Sequence, residues 1–319
     1  MNLLTIDFGG TFVKFAMMDA DGNLSENDKV PAPLESLEQF VKTVEKIYAP
    51  FKGKVSGIAI SMPGIIDSDS GYVRTAGAYN GTLAGINVIE TLKDVVDVPV
   101  AVENDGKAAI LAELWKGSLQ GVNTAAACIV GSGLGGGIIM DGKLRKGSHF
   151  ASGEISGLMT QSGNYEMHGS AAATASMTAF LMRVAYAKQM DPKLFEVSGA
   201  NTGDKVDENT KRISGVEVFD WIEQGDEITI GVYQQWLRDL TMVLYNMKMT
   251  LDPEKIVIGG GVSRNPRFIR DLKVEFEKSM RTVLQFGFPP CELDVCQFTS
   301  DANLIGAAYN WILHNNFYN

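Results

Sequence analysis

The chain has 319 residues, a length that suits about two domains. Hydrophobic residues make up 45% and charged residues 21%, the balance of an ordinary globular protein that buries its own core. The formal net charge of −10 argues against a nucleic-acid partner, which selects a basic face, but not against ATP, whose phosphates need only local backbone donors.

A short strand is predicted over residues 3–7, followed by Gly9 and Gly10 and a second strand over 13–18 that ends at Asp21-Gly22. Residues 37–51 place apolar side chains on one helical face, and Ser36 is a candidate N-cap. Strands follow at 55–61, closed by Pro63-Gly64, and at 98–102, which runs through Glu103-Asn104-Asp105 into a helix over about 106–115. Strands alternating with helices point to an α/β fold. Near residue 120 the opening pattern restarts: a strand over 124–130, the glycine-rich run 131–137, a strand over 138–140 and the turn Asp141-Gly142. This repeat reads as an internal duplication. Long helices are expected at about 171–190, 228–250 and 265–284, with polar loops at 160–169 and 199–213. The segment 251–258 leads to Gly259-Gly260-Gly261, and a helix over about 301–314 follows. The expected division is an N-terminal lobe, 1–120, on which the last helix (about 301–319) packs back, and a C-terminal lobe, 121–300.

Cys128, Cys291 and Cys296 form no disulfide framework and fit a reducing, cytoplasmic compartment. With His149, His168 and His314 they show no metal-ligand spacing. No signal peptide or membrane span is expected.

Three glycine turns carry the chemical signal. Around Asp7, adjacent Gly9 and Gly10 let backbone N–H groups converge on phosphate oxygens, Thr11 adds a hydroxyl, and Asp7 can hold magnesium through water. A plain hairpin turn is the alternative. The run 131–137 contains Gly131, Ser132, Gly133 and Gly135 and formally matches GxGxxG, with Glu154 further on. A dinucleotide fold, however, needs a helix where residues 138–140 read as a strand. Gly259, Gly260 and Gly261 either pack closely or let an adenine or ribose approach. No P-loop motif follows any strand. Asp105, where a strand meets a helix, suits a general base in phosphoryl transfer or a helix cap. Asn104 suits a polar ligand contact or a turn, and Glu154 is open between a ligand contact and a solvated loop carboxylate.

Taken together these segments resemble the ROK family of sugar kinases and related repressors, over nearly the whole chain. Residues 7–11 look like its first phosphate motif, 61–67 like its PG-x-x-D segment and 103–105 like its END motif, whose Asp is the catalytic base. Residues 131–137 with Asp141-Gly142 resemble the second phosphate motif, 153–155 the GEIGH sugar motif, and 252–261 the DPxxIxxGGG adenosine segment. The resemblance implies a duplicated, two-lobed α/β fold of the actin-like ATPase (ribonuclease H-like) type, with ATP and Mg²⁺ in the cleft and a sugar against Pro63, Gly64, Asn80, Asn104, Asp105 and Glu154. A homodimer is implied by resemblance alone. The departures are as informative. The GEIGH histidine falls at Gly157, the cysteine-rich zinc motif falls on residues 163–172 where there is no cysteine, and its terminal sugar-binding Glu falls at Ala172. No zinc is expected, and small residues near C1 of the sugar leave space for an anomeric substituent. This resembles the family's zinc-less β-glucoside kinases, which phosphorylate O6 of cellobiose or gentiobiose. N-acetylmannosamine kinase and glucokinase remain alternatives, as does a non-catalytic sugar sensor. The repressors carry a DNA-binding domain ahead of the first motif, which here starts at Asp7.

Overall fold

The computed structural model describes residues 1–196 and 212–315. The chain runs β1 (Leu3–Phe8), β2 (Phe12–Met18), β3 (Leu24–Pro31), α1 (Leu37–Tyr48), β4 (Gly57–Met62), β5 (Ile66–Asp67), β6 (Tyr72–Val73), α2 (Asn80–Leu83), α3 (Val88–Leu92), β7 (Val100–Asn104) and α4 (Asp105–Lys116). It continues with β8 (Ala125–Val130), β9 (Leu134–Met140), β10 (Lys143–Leu144), α5 (Ala171–Ala175), α6 (Met177–Ala187), α7 (Gly215–Glu223), α8 (Glu227–Leu251), β11 (Lys255–Gly259), α9 (Pro266–Gln285), β12 (Glu292–Val295) and α10 (Ala302–His314).

Two five-stranded sheets repeat one plan. The orders are β3-β2-β1-β4-β7 and β10-β9-β8-β11-β12. In each, antiparallel strands lead into parallel ones: β1 pairs antiparallel with β2 and parallel with β4, while β10 pairs antiparallel with β9 and β11 parallel with β8 and β12. The internal duplication read from the glycine turns is therefore a duplication of topology. Two compact units emerge. One comprises Met1–Asn123, Gly137–Gly153 and the chain from Gln297 onward; the other comprises Thr124–Gly136 and Glu154–Cys296.

In the first unit, β1 and β4 are buried along their whole length, as central strands covered on both faces must be. Helix α1 starts where Ser36 caps it, accepting from Gln39 N at 3.1 Å, and stops short of residue 51 because Pro50 turns the chain into a single 3₁₀ turn. Helix α10 packs against α4 and against β1, β2, β4 and β7. That approach is close enough that a Cβ on Gly306 would lie 1.7 Å from Ala108 O.

The second unit is built around Trp236 of α8. Its ring stacks on Phe180 with centroids 4.7 Å apart, and its N–H donates to Ala175 O at 2.9 Å. The helix expected at 171–190 is two helices, because Ser176 ends α5 and caps α6 by accepting from Ala179 N at 3.1 Å. Met167–Gly169 forms a 3₁₀ turn within the expected loop 160–169. Most of the expected loop 199–213 lies outside the described residues. No helix among the described residues is long and apolar enough to cross a membrane.

Candidate active site

Strand register assembles the site of the first unit. Asp7 on β1 lies beside Ser61 on β4, and Ser61 lies beside Glu103 on β7. The carboxyl ends of three parallel strands therefore deliver Asp7, Pro63-Gly64 and Asn104-Asp105 to one edge. Two strand spacings separate Asp7 from the last pair, roughly 10 Å.

Asp7 is only 8% exposed. Its Oδ1 accepts from Asn303 Nδ2 at 3.0 Å, from the first turn of α10. Burial raises its pKa, against the opposing pull of Asn303, the Ser61 hydroxyl and Lys14. The next residues form the turn: Gly9 N donates to Phe12 O at 3.1 Å, while Gly10 and Thr11 are exposed. A Cβ on Gly9 would crowd Phe12 O at 2.9 Å. Tyr79 braces this turn, its buried hydroxyl donating to Gly9 O at 2.7 Å. Burial first, and then the Asp7 charge, push the Tyr79 pKa up, so it stays a donor. Sequence reasoning passed over Tyr79 in favour of its neighbour. Asn80 is exposed, and its Oδ1 accepts from Ala76 N at 3.1 Å.

Gly64 has φ +110, and a Cβ there would meet Thr75 O at 1.9 Å, so only glycine fits. Its carbonyl accepts from Asn104 Nδ2 at 2.9 Å; the same amide donates to Asp105 Oδ1 at 3.1 Å. Asn104 Oδ1 accepts from Lys107 N at 3.0 Å and caps α4. The cap is thus Asn104, and Asp105 is the first helical residue, half-buried, with Oδ1 also accepting from Gly106 N at 2.8 Å. The capping role thus falls to Asn104 rather than Asp105, whose own carboxylate is held on the strand-end edge. Beneath them Glu103 is 1% exposed, with Oε1 accepting from Asn104 N at 2.8 Å. Burial raises its pKa, opposed by that N–H, by Lys146 and Lys107, and by the Ser68 hydroxyl.

In the second unit the 131–133 turn joins β8 to β9. Gly131 N donates to Gly133 O at 3.0 Å, and Gly131 O accepts from Met177 N at the start of α6, also at 3.0 Å. No atom lies within 4 Å of a Cβ on Gly133, and only Gly133 O, at 3.9 Å, approaches one on Gly131. Ser132 is exposed there. The strand begins at Leu134 rather than 138, so Gly135 belongs to β9. A strand in place of a helix removes the dinucleotide reading. At the end of β11 the glycines divide. A Cβ on Gly259 would meet Ile129 at 2.5 Å, and one on Gly260 (φ +88) would meet Val130 O at 2.1 Å. Only Gly261 faces open space.

Glu154 is half-buried and leads into the 3₁₀ turn Ile155–Gly157. A Cβ on Gly157 would have nothing within 4 Å, and Ala172 lies in α5, half-buried. The segment 158–171 closes on itself. Ala171 N donates to Leu158 O at 2.7 Å, Thr160 N donates to Gly169 O at 2.9 Å, and the Thr160 and Thr174 hydroxyls lie 2.8 Å apart. Among the described residues no group of three or more His, Cys, Asp or Glu side chains is placed to hold a metal. Magnesium still fits the residues present, because it is characteristically held by one or two carboxylates, waters and phosphates rather than by an all-protein cage.

The ROK family profile matches residues 3–314. A curated β-glucoside kinase of Listeria monocytogenes serovar 1/2a is 27% identical over 316 residues, which cover 99% of each chain. Among solved structures, a ROK family protein from Streptococcus pneumoniae TIGR4 in complex with sucrose aligns with TM-score 0.84 and 25% identity over 100% of both chains. A ROK family glucokinase from Streptomyces griseus in complex with glucose and AMPPNP aligns with TM-score 0.77 and 25% identity, covering 97% of this chain and 98% of that one. The fold is the duplicated α/β fold of the actin-like ATPases.

Proposed function

The chain belongs to the ROK family, and we propose that it is an ATP-dependent sugar kinase acting on O6 of a glucose-type sugar, with β-glucosides such as cellobiose and gentiobiose as preferred acceptors. The observation that carries the reading is the edge formed by Asp7, Gly64, Asn104 and Asp105 at the ends of three adjacent parallel strands. In open α/β sheets ligands bind beyond those strand ends.

Asp105 takes the proton of the sugar hydroxyl as it attacks the γ-phosphate. An Asp carboxylate is the residue type suited to accept that proton as a general base. Asn104 holds the Asp105 carboxylate and the Gly64 carbonyl in one frame, and Pro63, Gly64, Asn80 and Glu154 complete the sugar contacts. The turns at Gly9, Gly10 and Thr11 and at Gly131, Ser132 and Gly133, followed by Gly135, supply backbone and hydroxyl donors to the phosphates; the turn of Gly259, Gly260 and Gly261 accommodates the adenosine at its open end, Gly261. Asp7 would hold magnesium through water, and the ion would supply charge neutralisation for the phosphates. No zinc enters this reading, which takes the protein as a cytoplasmic homodimer.

The acceptor preference rests on the open space at Gly157 and the small Ala172, together with the full-length similarity to a β-glucoside kinase. The test is ADP release with ATP and Mg²⁺ over glucose, cellobiose, gentiobiose, a simple β-glucoside, N-acetylmannosamine, N-acetylglucosamine, fructose and no sugar. Turnover centred on β-glucosides supports the reading. A clear preference for free glucose or N-acetylmannosamine keeps the kinase and removes the open-pocket argument. Bound ATP with no turnover on any sugar replaces the kinase with a sensor.

A further inference from the structure

We propose that Lys107 is a positioning residue for sugar binding, because it fastens the strap 146–153 onto the first turn of the helix that carries Asp105. The inference rests on the kinase reading, since the strap leads by one peptide bond into Glu154. Lys107 is 1% exposed, unusual for a lysine, whose ammonium loses hydration on burial and must be compensated. Its Nζ donates to Phe150 O at 2.9 Å. Phe150 is the strained residue of the strap, with φ +60, a left-handed conformation that bulky side chains rarely adopt. Gly147 (φ +79) and Gly153 (φ +85) share that hand but reach it freely. Such strain persists where the surroundings fix it, and Lys107 is the buried group that does so.

A second lysine sits at the start of the strap. Lys146 Nζ lies 2.7 Å from Asp69 Oδ1 and 3.2 Å from His314 Nε2, but the Asp69 side chain is 65% exposed, and this contact is held less firmly than the buried one at Phe150. Ser152 N donates to Lys146 O at 3.1 Å and closes the strap on itself. The buried contact at Phe150 therefore sets the angle at which the chain enters Gly153 and Glu154. Without the ammonium, Phe150 relaxes to negative φ and the strap that leads into Glu154 loses its course.

The test compares Lys107→Met, Phe150→Gly and the double variant, with wild-type activity on the sugar panel as the reference. Absence of wild-type turnover would remove the kinase reading and is distinct from the outcomes below. Lys107→Met is expected to raise the sugar KM at least tenfold, with kcat within threefold and the ATP KM unchanged. Phe150→Gly alone should stay within threefold of wild type. The double variant should recover most of the lost affinity, because glycine holds φ +60 without help. Amide exchange in 148–153 should quicken at least tenfold in Lys107→Met while the rest of α4 stays protected. If Lys107→Met does not fold, Lys107→Gln, smaller and still polar, must give the same pattern. An unchanged sugar KM, no rescue by glycine, general loss of α4 protection, or a fall in kcat at constant sugar KM would each overturn the assignment. The last of these would make the ammonium's charge its function.

Discussion

Asp105→Asn separates chemistry from architecture. Asn is nearly isosteric, and its Oδ1 can keep both hydrogen bonds that Asp105 Oδ1 accepts, from Gly106 N at 2.8 Å and Asn104 Nδ2 at 3.1 Å. The clamp from Asn104 to Gly64 does not involve the replaced atom. What the fold loses is a negative charge in the first turn of α4, an interaction of about 0.3–1 kcal/mol. What the reaction loses is its base, a factor of about 10²–10⁴ in kcat, or about 2.7–5.5 kcal/mol at ~1.36 kcal/mol per decade. The chemical loss exceeds the structural one severalfold. Coupled ADP release gives kcat, calorimetric titration gives sugar affinity, and a thermal scan reports the fold. The expected result is a kcat at least a hundredfold lower, sugar affinity within threefold, and a Tm within about 3 °C of wild type. Retention of kcat within tenfold would refute the base assignment. A large fall in Tm alongside the lost activity would assign the loss to the helix start.

Two further outcomes follow from the same geometry. Asp7→Asn should stabilise the ligand-free protein at neutral pH: the folded pKa of Asp7 is raised, so its contribution is fully present below about pH 4 and is lost as pH rises and the buried carboxylate ionises. The Tm gain at pH 7 should vanish in acid, while Mg²⁺-dependent turnover falls at least tenfold; a lower Tm at pH 7 would contradict the burial argument. Gly157→His places a side chain into open space, so Tm should hold while kcat/KM for cellobiose falls at least tenfold relative to glucose. An unchanged ratio would detach Gly157 from the anomeric side of the sugar.

The site was legible in the sequence where backbone geometry leaves a mark in residue type. Gly64 must be glycine because Thr75 O occupies the place of its Cβ, and the turns at Asp21-Gly22 and Asp141-Gly142 carry positive φ at Gly22, Asp141 and Gly142. Central strands such as β1 and β4 announced themselves as apolar runs. Strand β3 did not: as an edge strand it is exposed along most of its length and rich in charge, which blunts pairing and also erases the period-two pattern. Strand β12 and helix α7 were missed as well, β12 being a four-residue strand without a fully buried position. Helix breaks at Ser176 and Pro50 were hidden by apolar periodicity running through them. Tyr79 and Lys107 carry no local signal, because their partners, Gly9 and Phe150, lie 70 and 43 positions away.

Helix α10 has a consequence for how the protein is made. Its Asn303 reaches an Asp7 that was synthesised 296 positions earlier, and its Trp311 donates to Pro99 O at 3.1 Å. A nascent chain that ends before Ala302 carries β1, β2, β3, β4 and β7 but lacks the helix that packs against four of them. The usual order of vectorial folding, with the N-terminal part settled first on the ribosome, is not open to this unit. Its strands wait, with apolar surface unburied, until the second half of the duplication has been translated, and contacts of such sequence separation make the final closure slow.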